Sequence, residues 1–187
     1  MATSGPGPVT GPGPVTDLIR HVPDFPQPGV GFKDISPLLG SPAGFAEAVA
    51  AMVAASPDGI DLVLAVEARG FVFGAPVALG LGAGLVLVRK PGKLPLATID
   101  ESFDLEYGSN TLAVHADAIT AGARVLLVDD VLATGGTAVA AVRLAKRLGA
   151  TVVGTTVLME LAFLGGREAL LTAGSGPVAA VVRYDEP

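Results

Sequence analysis

Apolar positions recur along the chain in two rhythms. Short runs rich in Val, Leu and Ala cover residues 62–66, 85–88, 125–128 and 151–158. Runs of that length, apolar on both faces, predict strands of a buried parallel sheet. Between them the spacing changes to three or four. Phe45, Val49 and Met52 mark a helix over 42–55, and residues 71–81 read as helix despite Pro76. Ala138, Val139, Val142, Ala145 and Leu148 mark another, stopped by Gly149. Ser56-Pro-Asp-Gly59 is a turn signal, 166–173 fits a short helix and 178–182 a last strand. Strands alternating with helices predict an α/β domain, a central mostly parallel sheet flanked by helices. Residues 1–16 repeat Gly-Pro-Gly-Pro-Val-Thr and have little to bury. They predict a disordered tail ahead of a single domain over 17–187. Thr16 is placed to cap a short helix over 17–20 that must end before Pro23.

The chain is organised around Val125 to Thr137, Val-Leu-Leu-Val-Asp-Asp-Val-Leu-Ala-Thr-Gly-Gly-Thr. A strand runs into two acids, then a loop of small residues, then a helix. In open α/β sheets the carboxyl ends of the strands are where ligands bind. Gly135 and Gly136 let backbone N–H groups close on a ligand at a helix N-terminus, which favours an anion. Thr134 and Thr137 add hydroxyls. Asp129 and Asp130 accept hydrogen bonds when ionised, which suits two vicinal hydroxyls. Phosphate on one side and diol on the other describes a ribose 5-phosphate. The bland alternative is a helix cap with a tight turn. No Gly-Lys-Ser/Thr follows, so this is not a triphosphate cradle, and no G-x-G-x-x-G is present.

Three further stretches carry candidate chemistry. Phe32 lies in an irregular segment rich in Pro and Gly, where an aromatic serves either as a core plug or as a stacking platform for a planar base. Arg69 ends the strand over 62–66 and is followed by Gly70, which fits either a surface ion pair or a second anion loop. Arg89, Lys90 and Lys93 place three cations in five residues, a solvated turn or a clamp for a diphosphate. Residues 96–114 are polar, and fit a poorly packed hairpin or a lid that excludes water. His21 and His115 have no partner pattern and read as structural.

Composition narrows the class. Of 187 residues, half are hydrophobic and 16% charged, and 12 basic against 18 acidic residues give a net charge of −6. That balance argues against nucleic acid as a partner. The chain contains no cysteine, which excludes disulfides and thiolate metal sites. No apolar run of about 18 residues is present, so no membrane span is expected. The first residues lack the basic-then-apolar order of a signal peptide, and the expectation is a cytoplasmic protein.

The organising stretch resembles the phosphoribosyl pyrophosphate (PRPP) motif of the type I phosphoribosyltransferases. Phe25-Pro-Gln-Pro-Gly-Val-Gly-Phe-Lys-Asp-Ile35, Glu67-Ala-Arg-Gly-Phe71, Arg89-Lys-Pro-Gly-Lys-Leu-Pro95 and Leu105-Glu-Tyr-Gly108 resemble, in order, further segments of its adenine-specific members. The resemblance covers roughly residues 17–187. It implies a type I phosphoribosyltransferase-like fold with a small N-terminal base-binding hood and a flexible catalytic loop. It implies an Mg²⁺-dependent, homodimeric purine-salvage enzyme that makes AMP and pyrophosphate from adenine and PRPP. Residue by residue, it places adenine at Val30, Gly31, Phe32, Lys33 and Leu161. The ribose and its 5-phosphate fall to Asp129, Asp130 and Ala133, Thr134, Gly135, Gly136, Thr137. Pyrophosphate falls to Arg69, Arg89, Lys90 and Lys93, with Arg69 and Glu106 as catalytic groups and Tyr107 on the lid. Mg²⁺ is expected through PRPP and water, with no direct protein ligand. A cis peptide is implied near Glu67-Ala68. Gly31 and Lys33 depart from the family's usual branched residue and Arg. Two rivals stay open: a transferase for a 6-oxo purine, and a PRPP-sensing regulator.

Overall fold

The computed structural model describes residues 9–10, 13–104 and 109–187. In chain order the elements are β1 (Val9–Thr10), α1 (Gly13–Asp17), β2 (Arg20–Val22), β3 (Phe32–Asp34), α2 (Ser36–Leu39), α3 (Pro42–Ala54), β4 (Leu62–Val66) and α4 (Gly70–Leu81). Then follow β5 (Gly84–Val88), β6 (Thr98–Asp104), β7 (Ser109–His115), β8 (Arg124–Leu132), α5 (Gly136–Arg147), β9 (Thr151–Leu161), a 3₁₀ turn (Ala162–Leu164), α6 (Gly166–Ala173) and β10 (Val178–Tyr184).

The main sheet has the order β1-β10-β9-β8-β4-β5, parallel throughout except for β1. Its buried strands alternate faces with period two. Val125 and Leu127 point into a core shared with α5, α6 and the β6–β7 hairpin. Leu126 and Val128 point into a second core shared with α1, α3 and α4. The chain runs outward from β4 to β5, then returns to the other side of β4 as β8. The connections therefore diverge between the C-terminal ends of β4 and β8, and such a switch point opens a crevice.

Three strands outrun their apolar runs. β8 continues through Asp129 and Asp130 to Leu132, β9 reaches Leu161 and β10 reaches Tyr184. Ladder hydrogen bonds are made by backbone, so a polar side chain does not end a strand. Asp129 still pairs with Val157, and Glu160 with Leu132 and Arg183. Glu160 is buried because Arg167 Nε (2.8 Å) and Nη2 (2.5 Å) donate to its two oxygens, with Arg183 nearby at 3.6 Å.

The folded unit also starts earlier than the repeat suggests. Val9–Thr10 pairs with Tyr184 and Arg183, and α1 ends at Asp17 where a helix over 17–20 was expected. The Gly-Pro composition concealed Val15, which is fully buried with Ile19 in the second core. Residues 20–22 are strand instead, paired with β3 in the small hood.

The polar stretch over 96–114 forms a regular antiparallel hairpin, β6–β7, and it is packed. Phe103, Leu112 and Val114 enter the first core. Arg143 and Arg147 of α5 hold Glu101 at 3.6 and 3.0 Å, and Arg147 donates to the Asp100 carbonyl at 2.6 Å. Glu106 and Tyr107 lie outside the described residues.

Candidate active site

The crevice at the switch point is a cavity of ≈ 420 Å³. Glu67, Ala68 and Arg69 after β4 form one wall, and the stretch from Asp129 to Ala138 forms the other. The Glu67–Ala68 peptide is cis, at the bond the resemblance implies. Gly135 has φ +87°, which ends the loop in the left-handed region and starts α5 with no side-chain cap. The first intrahelical bond runs from Val139 N to Gly135 O at 2.8 Å. Gly135 to Ala138 thus bring uncapped helix N-terminal donors to the cavity lining.

The two acids differ in surroundings. Asp130 is buried, and its Oδ2 lies 2.6 Å from Arg69 Nε. That contact is an ion pair without hydrogen-bond alignment, so the oxygen has no hydrogen-bond partner. Asp129 Oδ1 accepts the Asp130 N–H at 2.9 Å. A side chain at Gly70 would stand 2.6 Å from the same oxygen, which is why α4 can begin so close to β8. Burial, and then the negative charge of Asp130, hold the Asp129 carboxyl well above its ordinary range. The site is thus built to receive something that compensates two adjacent acids.

The sign of the pH effect follows. A carboxyl whose folded-state pKa is raised binds its proton more tightly when folded. Its contribution to stability is complete below the unfolded value of about 3.9 and is lost as pH rises toward the folded value. Asp129→Asn is therefore expected to raise the thermal midpoint of the ligand-free protein by a few degrees at pH 7. The gain should vanish near pH 4. Unfolding curves at the two pH values check this, and a gain independent of pH would remove burial of charge as the cause.

A second, smaller cavity of ≈ 110 Å³ adjoins the first. Gly31, Phe32 and Lys33 of the hood form one side, and Met159 and Leu161 at the end of β9 the other. Arg69, Val131 and Ala133 line both cavities. Phe32 packs edge-on against Phe25, with centroids 5.1 Å apart, and the Arg69 guanidinium sits 5.6 Å from the Phe32 ring centroid. Phe32 is partly exposed and faces this slot, so it is no core plug.

Two predicted positions are used differently. Val30 does not line the slot: its N–H donates to Gln27 O (3.2 Å) and its carbonyl accepts from Phe25 N (3.0 Å), closing a turn. Its N–H and one lone pair of its carbonyl are therefore taken up by the turn. Arg89 is a brace: Nε and Nη2 donate to Glu67 at 3.1 and 3.3 Å, and Nη1 to the Lys93 carbonyl at 3.0 Å. Hydrogen bonds from Arg89, then from the Lys90 N–H, hold Glu67 below its ordinary pKa. Among the described residues no ion pair uses the ammonium of Lys90 or Lys93.

Sequence reasoning missed Met159 and Val131. Met159 shares its face with Leu161 by period two, a signal that was available; Val131 was masked by its place between the acids and the loop. It also missed Gly166, where a side chain would fall on the Ala133 carbonyl and within 3.0 Å of Gly135 N.

The profile of the phosphoribosyl transferase domain matches residues 42–168. The adenine phosphoribosyltransferase of Cutibacterium acnes is 58% identical over 168 residues, covering 90% of this chain and 95% of its own. The crystal structure of adenine phosphoribosyltransferase from Thermoanaerobacter pseudethanolicus superposes with a TM-score of 0.86 at 43% identity, covering 91% of this chain and 98% of its own. The Saccharomyces cerevisiae enzyme, solved with an imino-altritol bisphosphate and adenine, has a TM-score of 0.81 at 36% identity, covering 90% and 98%.

Proposed function

The chain belongs to the phosphoribosyltransferase family, among its adenine phosphoribosyltransferases, and from that membership we propose how its residues divide the work. The reaction is the purine-salvage transfer of a phosphoribosyl group from PRPP to adenine. The bond from ribose C1 to the diphosphate oxygen breaks, the bond from C1 to N9 forms, and the N9 proton leaves. AMP and pyrophosphate result. The observation that carries the division of roles is the shared wall. Arg69, Val131 and Ala133 belong to both cavities, so a sugar phosphate in one and a flat base in the other meet at one point.

The 5-phosphate sits on Ala133, Thr134, Gly135, Gly136 and Thr137, at the N-terminus of α5. Asp129 and Asp130 take the ribose hydroxyls. Adenine stacks between Phe32 and Leu161, with Gly31, Lys33 and Met159 at the slot's edges and Val30 holding the turn behind it. Arg69 leaves Asp130 to meet the diphosphate, joined by Lys90 and Lys93, while Arg89 keeps Glu67 in place. Glu106, on the closing loop with Tyr107, offsets positive charge on the base and sugar as the C1 bond breaks.

Among the described residues no three His, Asp or Glu side chains converge on one point. Two carboxylates with a buried, unsatisfied oxygen suit Mg²⁺ held mainly by substrate oxygens and water. Bound there, the ion would neutralise diphosphate charge.

A homodimer fits the apolar edge of the sheet. Leu85 and Leu87 of β5 and Val72 and Leu79 of α4 are all exposed, Leu79 to 84%. A second copy would cover them, and sedimentation at about twice 18.6 kDa is the check. Among the described residues no helix is long and apolar enough to cross a membrane. The proposed compartment, the cytoplasm, is checked by cell fractionation. Among the described residues the two hydrophobic cores lie on the two faces of the one sheet, which supports a single domain over 17–187.

AMP formation from PRPP, Mg²⁺ and each of adenine, guanine, hypoxanthine and xanthine tests the reading. Turnover with adenine alone is expected, because a 6-amino base donates where a 6-oxo base accepts. Turnover with a 6-oxo base would discard the slot assignment and keep the PRPP half.

A further inference from the structure

The two departures from the family pattern, Gly31 and Lys33, meet at one residue that sequence reasoning set aside as structural. His21 of β2 stands directly opposite Lys33 of β3 in the hood's two-stranded ladder. Lys33 Nζ lies 3.1 Å from His21 Nδ1. An ammonium can only donate, so Nδ1 is the acceptor and the ring proton sits on Nε2. The same Nζ lies 4.5 Å from the centroid of the Tyr184 ring, a cation–π contact. Tyr184 ends β10, is buried, and pairs in register with Leu161, the floor of the base slot. Partial burial lowers the Lys33 pKa, in keeping with an ammonium held between the hood and the sheet.

Gly31 completes the arrangement. A Cβ at position 31 would stand 2.9 Å from His21 Cε1. The imidazole therefore occupies the space that a branched side chain would fill. It could yield by rotating, but rotation takes Nδ1 away from Lys33. A side chain at 31 and the His21–Lys33 bond exclude each other.

We propose that His21 is a positioning residue for the base: with Gly31 clearing its place, it fixes Lys33 over Tyr184 and so sets the gap between Phe32 and Leu161. Phe32 precedes Lys33 on β3, and Leu161 is the ladder partner of Tyr184, so each end of the bridge adjoins one wall of the slot. His21 touches no substrate in this arrangement. The proposal rests on the slot being the adenine site.

The test is steady-state kinetics of His21→Ala, His21→Gln, Gly31→Val and the double variant His21→Ala/Gly31→Val, with the wild-type chain alongside. His21→Ala should raise KM for adenine about fivefold, within reach of one partly exposed hydrogen bond to a charged group. The KM for PRPP and kcat should stay within about twofold of wild type, since the sugar-phosphate cavity is untouched. Gly31→Val should also raise KM for adenine, because the valine expels the imidazole. The double variant should be no worse than either single one. His21→Gln, which keeps an acceptor for Lys33, should recover most of the adenine affinity. Equal rises in both KM values, or an unchanged KM for adenine in His21→Ala, would overturn the proposal while wild-type turnover of adenine upholds the function. No turnover of adenine by the wild-type chain would instead remove the function, and this proposal with it.

Discussion

Asp130→Ala is expected to lower kcat/KM for PRPP by about three orders of magnitude while leaving the protein folded, the scale seen when a group aimed at the reacting centre is removed. Asp130 is the less accessible member of the acid pair, and it does two things. It supplies acceptors where the ribose hydroxyls are placed, and it holds Arg69 at 2.6 Å across the mouth of the slot. Alanine removes both. The fold should tolerate the loss. Arg69 is 45% exposed, so water solvates the freed guanidinium, and the charge that helps raise the Asp129 pKa disappears with Asp130. These two changes act in opposite directions on stability, and a thermal midpoint within a few degrees of wild type is expected. Asp130→Asn keeps one acceptor oxygen and should retain more activity than Asp130→Ala. Initial rates across PRPP concentrations, beside a far-UV melting curve, decide the matter. A loss smaller than tenfold would take the ribose away from Asp130.

The contrast between Asp130 and Val30 shows what the sequence carries. Asp129 to Thr137 form a contiguous site whose chemistry is written in the order of its residues, and the structure brings all of them to one cavity. The sheet was legible for the same reason: strands over residues 62–66 and 125–128 show apolar runs whose alternate side chains feed two cores. What depends on distant approach was not legible. The backbone of Val30 is spent on Phe25 and Gln27, a turn that no residue type announces. Arg89 looked like one of three free cations, yet Glu67, twenty-two positions earlier, claims it. Val15 was hidden inside a Gly-Pro repeat, although it is fully buried in the second core. The hood's His21 is the sharpest case, since it bonds Lys33, whose ammonium in turn lies over Tyr184 of the other sheet.

Gly166 belongs to that illegible class, and Gly166→Val is expected to raise KM for PRPP at least tenfold and to lower the thermal midpoint by about 5 to 10 °C. Gly166 opens α6, and its backbone lies against Ala133 and Gly135 of the loop proposed to hold the 5-phosphate. Its own carbonyl lies 2.9 Å from where a side chain on Gly135 would stand, and a side chain on Gly166 would collide with the Ala133 carbonyl. Both partners are backbone, so no rotamer change relieves the contact. The loop must lift or α6 must retreat. Lifting the loop turns the N–H groups of Gly135 and Gly136 away from the phosphate, which weakens PRPP binding with little effect on the base slot. Retreat of α6 withdraws Leu170 from the first core and moves Arg167 off the buried Glu160, which costs stability. Gly82→Ala separates these effects from backbone strain alone. Gly82 also has a positive φ, +65°, but has open space around it and ends α4 far from the loop. Its variant should lose some stability and keep its KM. If Gly166→Val destabilises the protein yet binds PRPP as wild type does, α6 has moved and the loop has not. In that outcome Gly166 supports the core only, and the phosphate loop holds its shape through Gly135 and the first turn of α5.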